Sequence, residues 1–221
     1  MKNLLLFLLA CSLGAAAAAR PIRGSVKCGG KPMSGVAVTD SYTFTQSDEQ
    51  GIFTLDADDQ ALFISLVTPS GYLAPLDGGI PQFYRAYDPA AKRYDFELQP
   101  WPGSGECYEL LAIADPQPKT EEHFRRLRSE VMPALQAATA DGKTRGANQA
   151  AILLGDIVWD SPELFAGVKA EFAGLGVPVY GVIGNHDHDQ TTLLKDSLGT
   201  MHYEMHLGPT CYSANIGRVH Y

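Results

Sequence analysis

A chain of 221 residues that is 45% hydrophobic and 19% charged can bury a sizeable core and is too apolar for intrinsic disorder. Its formal net charge of -8 shows no basic patch that would displace phosphate counterions, which excludes a non-specific nucleic-acid binder. A small anionic substrate would have to be met by metal cations instead, and the length allows one or two domains.

Residues 1–19 read as a signal peptide. Lys2 supplies the positive region, Leu4 to Ala10 the apolar stretch, and Ala15 to Ala19 the small-residue cleavage region before Arg20. This predicts a periplasmic or secreted protein. Leu8-Leu9-Ala10-Cys11 also resembles a bacterial lipoprotein box, which would place a lipid anchor at Cys11 and the protein on the outer cell envelope; both readings stay open. No later run is long enough to span a membrane. Without the leader three cysteines remain, Cys28, Cys107 and Cys211. An odd number without close pairs describes small buried side chains or at most one bridge.

From Ile22 to Leu98 short runs alternate apolar and polar residues between Gly, Pro and Asp clusters: Gly24–Lys27, Gly35–Thr39, Ser41–Phe44, Gly51–Leu55 and Tyr94–Leu98. Ala61–Thr68 is more continuously apolar and predicts a central strand. The spacing, with no helical segment between, predicts a small antiparallel β-sandwich. Gly35-Val36-Ala37-Val38-Thr39-Asp40 followed by Asp48-Glu49-Gln50-Gly51-Ile52-Phe53-Thr54-Leu55 resembles the transthyretin-like or carboxypeptidase-regulatory-like sandwiches attached to many secreted bacterial enzymes. Residues 99–106 read as a linker, in which Trp101 packs between domains or stacks on a ligand.

The rhythm from residue 107 to 221 changes to strand, helix, strand, helix, strand, which predicts right-handed βαβ units and a largely parallel sheet. The fold class is therefore an all-β sandwich followed by α/β. Thr120 caps a helix whose buried face is Phe124, Leu127, Val131 and Leu135, with Arg125, Arg126 and Arg128 on the solvated side. Asp141–Gly146 reads as a loop. Pro162 opens a second helix that ends at Gly174 and Gly176.

Three apolar runs end abruptly in polar residues: Leu110–Ala114 in Asp115, Ala151–Gly155 in Asp156, and Val177–Gly184 in Asn185-His186-Asp187. In an open α/β sheet the loops after parallel strands lie side by side, so these endings can share one crevice. Oxygen donors converging beside a histidine point to a metal site.

The order Asp115-Pro116-Gln117, Gly155-Asp156, Gly184-Asn185-His186-Asp187 resembles the calcineurin-like metallophosphoesterases. That resemblance implies two divalent metal ions (Mn, Mg, Fe, Zn or Ca), with Asp115 and Gln117 at the first, Asp156 bridging and Asn185 at the second. His186 would contact the phosphoryl group or protonate the leaving oxygen. Gln117 stands where the family usually has histidine, which favours harder metals. Trp159 stands where an acid often orients the catalytic histidine, and either Asp160 or Asp187 could replace it. A late Gly-His-x-His block does not appear before Tyr221, so the chain reads as part of a longer protein and is expected, alone, to bind metal weakly. His123, His188, His202, His206 and His220 read as packing or solvated residues. The expectation is a metal-dependent hydrolase of a small phosphate mono- or diester; the alternative is a secreted ligand-binding protein whose phosphoesterase part is inactive.

Overall fold

The computed structural model describes residues 20–103, 107–192 and 196–221. The leader, Cys11 and linker residues 104–106 lie outside the described residues. Two sheets form the first part. One contains β1 (Arg20–Cys28), β4 (Ile52–Ala57) and β7 (Arg93–Pro100); the other runs β6 (Tyr84–Ala86), β5 (Phe63–Leu66), β2 (Ala37–Thr39), β3 (Phe44–Gln46). Alternation decides their faces. In β7 every second residue, Tyr94, Phe96 and Leu98, is buried, and in β4 Phe53, Leu55 and Ala57 are. They meet Val38, Ile64 and Leu66 of the other sheet in one core. Each fully buried large apolar side chain contributes about 1.5–3 kcal/mol.

The expectation of a wholly antiparallel sandwich is corrected at one pair. β1 and β7 run parallel, with Val26 opposite Phe96, because the last strand returns beside the first in the same direction after the chain has crossed to the second sheet. Gln99 and Pro100, expected in the linker, extend β7 and pair with Leu73 and Tyr72. Proline is tolerated at such a strand end. Trp101 is 8% exposed and packs edge-on against Tyr108, which is the packing role rather than the ligand-stacking one.

Asp40 pins the turn after β2. One carboxylate oxygen accepts from the amides of Tyr42 and Thr43 at 2.9 and 2.6 Å, the other from the Asp58 amide at 2.7 Å. Burial pushes this carboxyl up, but the amides of Asp58, Thr43 and Tyr42 outweigh it and hold it below the usual carboxylate range. A carboxyl depressed on folding adds stability that is present above its unfolded pKa and is lost as pH falls through the folded value. Asp40→Ala should therefore lower stability by about 2–3 kcal/mol at neutral pH, with the deficit shrinking below about pH 4. Urea unfolding across that range checks both.

Beyond the linker, β8 (Tyr108–Ile113), β9 (Asn148–Leu154) and β10 (Val179–Val182) form a parallel sheet in sequence order. The intervening helices are α1 (Glu121–Arg126), α2 (Met132–Thr144) and α3 (Phe165–Ala173); α4 (Met201–Leu207) follows β10. Thr120 caps α1, its hydroxyl accepting from the His123 amide. Between α1 and α2 the residues Leu127–Val131 form a π-helical turn. This inserts one residue into the 3.6-residue period, so Met132 is buried where Val131 was expected, and Val131 is 40% exposed. The loop expected at Asp141–Gly146 is mostly helix: α2 runs to Thr144. Gly142 lies under the side-chain ends of Gln149 and Glu109, where a Cβ would stand 2.0 Å from Gln149 Nε2 and 2.3 Å from Glu109 Oε2 and would push them aside. Arg126 and Arg128 pair with Glu130, Glu121 and Glu171 on the exposed side, as a solvated face should.

One face of the parallel sheet packs on the helices through Ile113, Ala151, Leu153 and Val179. The other face meets the sandwich core only through its early residues, where Tyr180 stacks with Phe83 and Tyr212. Near the carboxyl ends that face is bare, with Leu154 47% and Val182 45% exposed. Cys28, Cys107 and Cys211 are unbridged, and the latter two are exposed rather than buried as expected. No helix among the described residues is long and apolar enough to cross a membrane.

Candidate active site

The parallel register aligns Ile113 with Leu153 and Leu154 with Val182, so the three following loops emerge together. The chain turns sharply at each exit. Asp115, Gln117, Asp156 and Asp160 all adopt positive φ, at 48°, 41°, 45° and 47°. Only one other non-glycine described residue, Ser41, does so. Backbone held in this sparsely populated region costs about 1–3 kcal/mol per residue and persists where surrounding contacts enforce it. Four such residues fall at one end of one sheet.

Asp156 is the hub. The Gln117 side-chain amide donates to its Oδ2 at 3.0 Å, the His186 main-chain amide donates to its Oδ1 at 3.1 Å, and its carbonyl accepts from the Gln117 amide at 3.3 Å. Residues from all three strand ends thus meet on one carboxylate. Asp115 is exposed beside Gln117, and Asn185 is exposed at the start of a 3-10 turn over Asn185–Asp187.

The open choice of partner for His186 resolves geometrically. Asp160 Oδ1 lies 2.9 Å from His186 Nδ1, and the Asp160 amide donates to the His186 carbonyl at 3.0 Å. Asp187, expected among the catalytic residues, is instead 0% exposed. Its Oδ1 accepts from the Val158 amide and its Oδ2 from the Gly184 amide, both at 2.8 Å. Burial lifts its carboxyl above the usual range, against the lowering effect of the Val158, Gly184 and Ile157 amides. Asp187 therefore builds the loop, its side chain turned inward onto the Val158 and Gly184 amides.

The hydrogen bond with Asp160, aided by the charges of Asp160, Asp156 and Asp187, holds the His186 imidazole above its usual range despite some desolvation. With Nδ1 committed to Asp160, Nε2 is the nitrogen left to exchange a proton. Trp159, which the sequence offered only as the residue replacing an acid, stacks flat on that ring, with centroids 4.3 Å apart at 16°. Gly184 also escaped the sequence reading as a site residue. A Cβ there would stand 2.1 Å from the Asp156 amide nitrogen and 2.2 Å from its Oδ1. Its signal was present, since glycine after a buried strand and before polar residues marks a close backbone approach.

The other histidines take local roles. His123 Nδ1 accepts from the Lys119 amide, His220 pairs with Asn215, and His206 stacks on Phe165. His202 and His206 lie on the seven-residue α4, and Gly208 takes up the reversal at φ 93° just after it.

Among the described residues, no three His, Cys, Asp or Glu side chains are grouped to hold a metal ion. Asp115, Gln117, Asp156 and Asn185 are all oxygen donors of the kind hard cations prefer. Each oxygen of Asp156 accepts one hydrogen bond, and the Gln117 amide, which presents its NH2 group at Oδ2, would offer its oxygen to a cation there if turned over. These four residues are the donors that the strand ends offer to the expected divalent ions.

Residues 20–101 match the family model described as the N terminal of calcineurin-like phosphoesterase. The match covers the sandwich and ends before the strand-end cluster. No match was found among curated proteins.

Proposed function

We propose, from the premise that residues 20–101 are the N-terminal domain of a calcineurin-like phosphoesterase, that the protein is an exported, metal-dependent hydrolase of small phosphate esters, with its chemistry at the carboxyl ends of β8, β9 and β10. One observation carries the reading: Asp156 joins Gln117 from one loop to His186 from another, while Asp160 fixes His186 for proton transfer. The leader composition supports export.

Asp115, Gln117, Asp156 and Asn185 would hold a divalent cation, which when bound supplies positive charge against the phosphoryl oxygens. The two-ion arrangement of the family requires donors in addition to these four. His186 acts as the leaving-group acid. Asp160 holds Nδ1–H and favours the imidazolium, so that Nε2–H faces the ester. As water oxygen bonds to phosphorus and the ester P–O bond breaks, the electron pair leaves on the alcohol oxygen. That oxygen takes the Nε2 proton, and the proton lost by water restores it.

Metal-stimulated hydrolysis of a chromogenic phosphomonoester and phosphodiester tests this. Asp156→Asn should reduce it at least about a hundredfold, and His186→Ala should reduce it by less on the chromogenic esters, whose oxygen leaves readily without a proton. Absence of activity with Mn, Mg, Ca, Fe or Zn, in a folded protein, would favour the ligand-binding role instead.

A further inference from the structure

We propose that Trp159 is a positioning residue for the proton-donating His186, its indole face fixing the roll of the imidazole so that Nε2 is aimed at the leaving oxygen. The inference rests on the phosphoesterase reading above.

Asp160 leaves the plane of the His186 ring unfixed. A single hydrogen bond at Nδ1, 2.9 Å long, fixes one atom of the ring. The plane of the ring can still rock, because the last torsion of a histidine side chain is broad and only roughly two-fold. A flat surface against the ring removes this freedom. The indole of Trp159 supplies one, with centroids 4.3 Å apart and planes within 16° of parallel.

Trp159 is itself held. Its amide donates to the Pro118 carbonyl at 3.4 Å, its carbonyl accepts from Ser161 Oγ at 2.9 Å, and the next residue is locked at φ 47° with its amide on the His186 carbonyl. Consecutive residues therefore grip the imidazole from its face and from its edge. Core packing does not account for the indole, which is 37% exposed beside the site.

The test compares the full-length protein with Trp159→Phe and Trp159→Ala. The first readout is the proton NMR of the His186 ring, assigned with His186→Ala. Its Hδ2 and Hε1 signals should be displaced upfield by the indole, partly so in Trp159→Phe, and not in Trp159→Ala. The second is hydrolysis of an alkyl phosphate. Trp159→Ala should lose kcat by roughly tenfold or more with KM within about twofold, and Trp159→Phe should recover most of it, since a displaced acid loses rate rather than binding. Wild-type kcat in Trp159→Ala, or no recovery with phenylalanine, would overturn the proposal while leaving the hydrolase reading intact. An inactive wild-type protein would overturn that reading and the proposal with it.

Discussion

Gly184→Ala is expected to reduce phosphate-ester hydrolysis by roughly a hundredfold or more, the loss that follows when a reacting constellation is displaced by about 1 Å. The cause is purely steric. Gly184 has φ -109° and ψ 177°, extended backbone that any residue adopts, so alanine meets no conformational penalty of its own. Its Cβ would, however, stand 2.1 Å from the Asp156 amide nitrogen and 2.2 Å from Oδ1. Neither position can yield cheaply, because Asp156 is backbone-fixed at positive φ and its Oδ1 is the acceptor for the His186 amide. Gly155 stands behind it, where an added Cβ would lie 3.3 Å from the Gly184 Cα. Overpacking of this kind also costs about 1–3 kcal/mol of stability. Steady-state kinetics with a denaturant midpoint on the same sample separates the two effects. Unchanged kcat in Gly184→Ala would mean that the Asp156 carboxylate is not where the chemistry happens.

Asp187→Ala is expected to cost about 3 kcal/mol or more of stability, the largest such effect at the site. The carboxylate is fully buried and serves the Val158 and Gly184 amides, which lie on the second and third strand-end loops. Its removal strands those donors without solvent, each at about 1–3 kcal/mol. Asp187→Asn keeps one acceptor and turns an NH2 group towards the other amide, so it should recover only part of the loss. Urea unfolding of both variants gives the ranking. If Asp187→Ala were as stable as the wild type, the hydrogen bonds drawn here would not be holding the loops together.

Much of this was legible in the sequence because it follows from period and from chain termination. Runs such as Leu110–Ala114 and Ala151–Gly155 can only end in polar loops, and parallel strands bring such endings to one edge. The helix start at Thr120 rests on local capping chemistry, and Pro162, by its preset φ, opens a 3-10 turn that leads into α3, so both were readable. What escaped depends on contacts between distant residues. Nothing local to Leu127–Val131 announces a π-helical turn, which exchanges Met132 for Val131 in the core. Asp141–Gly146 reads as a loop from its composition, whereas α2 continues through Gly142 to Thr144. Asp160 and Asp187 flank the same histidine in plausible ways, and only the fold shows one turned inward onto two amides and the other on the imidazole. Leu154 and Val182 lie near the ends of apolar runs yet are half exposed, which nothing in their local pattern announces.

The central claim is that His186 hands a proton to the leaving oxygen of a phosphate ester. Its most direct test is the leaving-group dependence of hydrolysis by wild type and His186→Ala, with Mn, Mg, Ca, Fe and Zn supplied in turn. An alkyl ester needs the proton, so its hydrolysis should fall by about 10² to 10⁴ in the variant; a nitrophenyl ester, whose oxygen leaves more readily without one, should fall by clearly less. Equal losses on both esters, or none on either, would contradict the role assigned to His186.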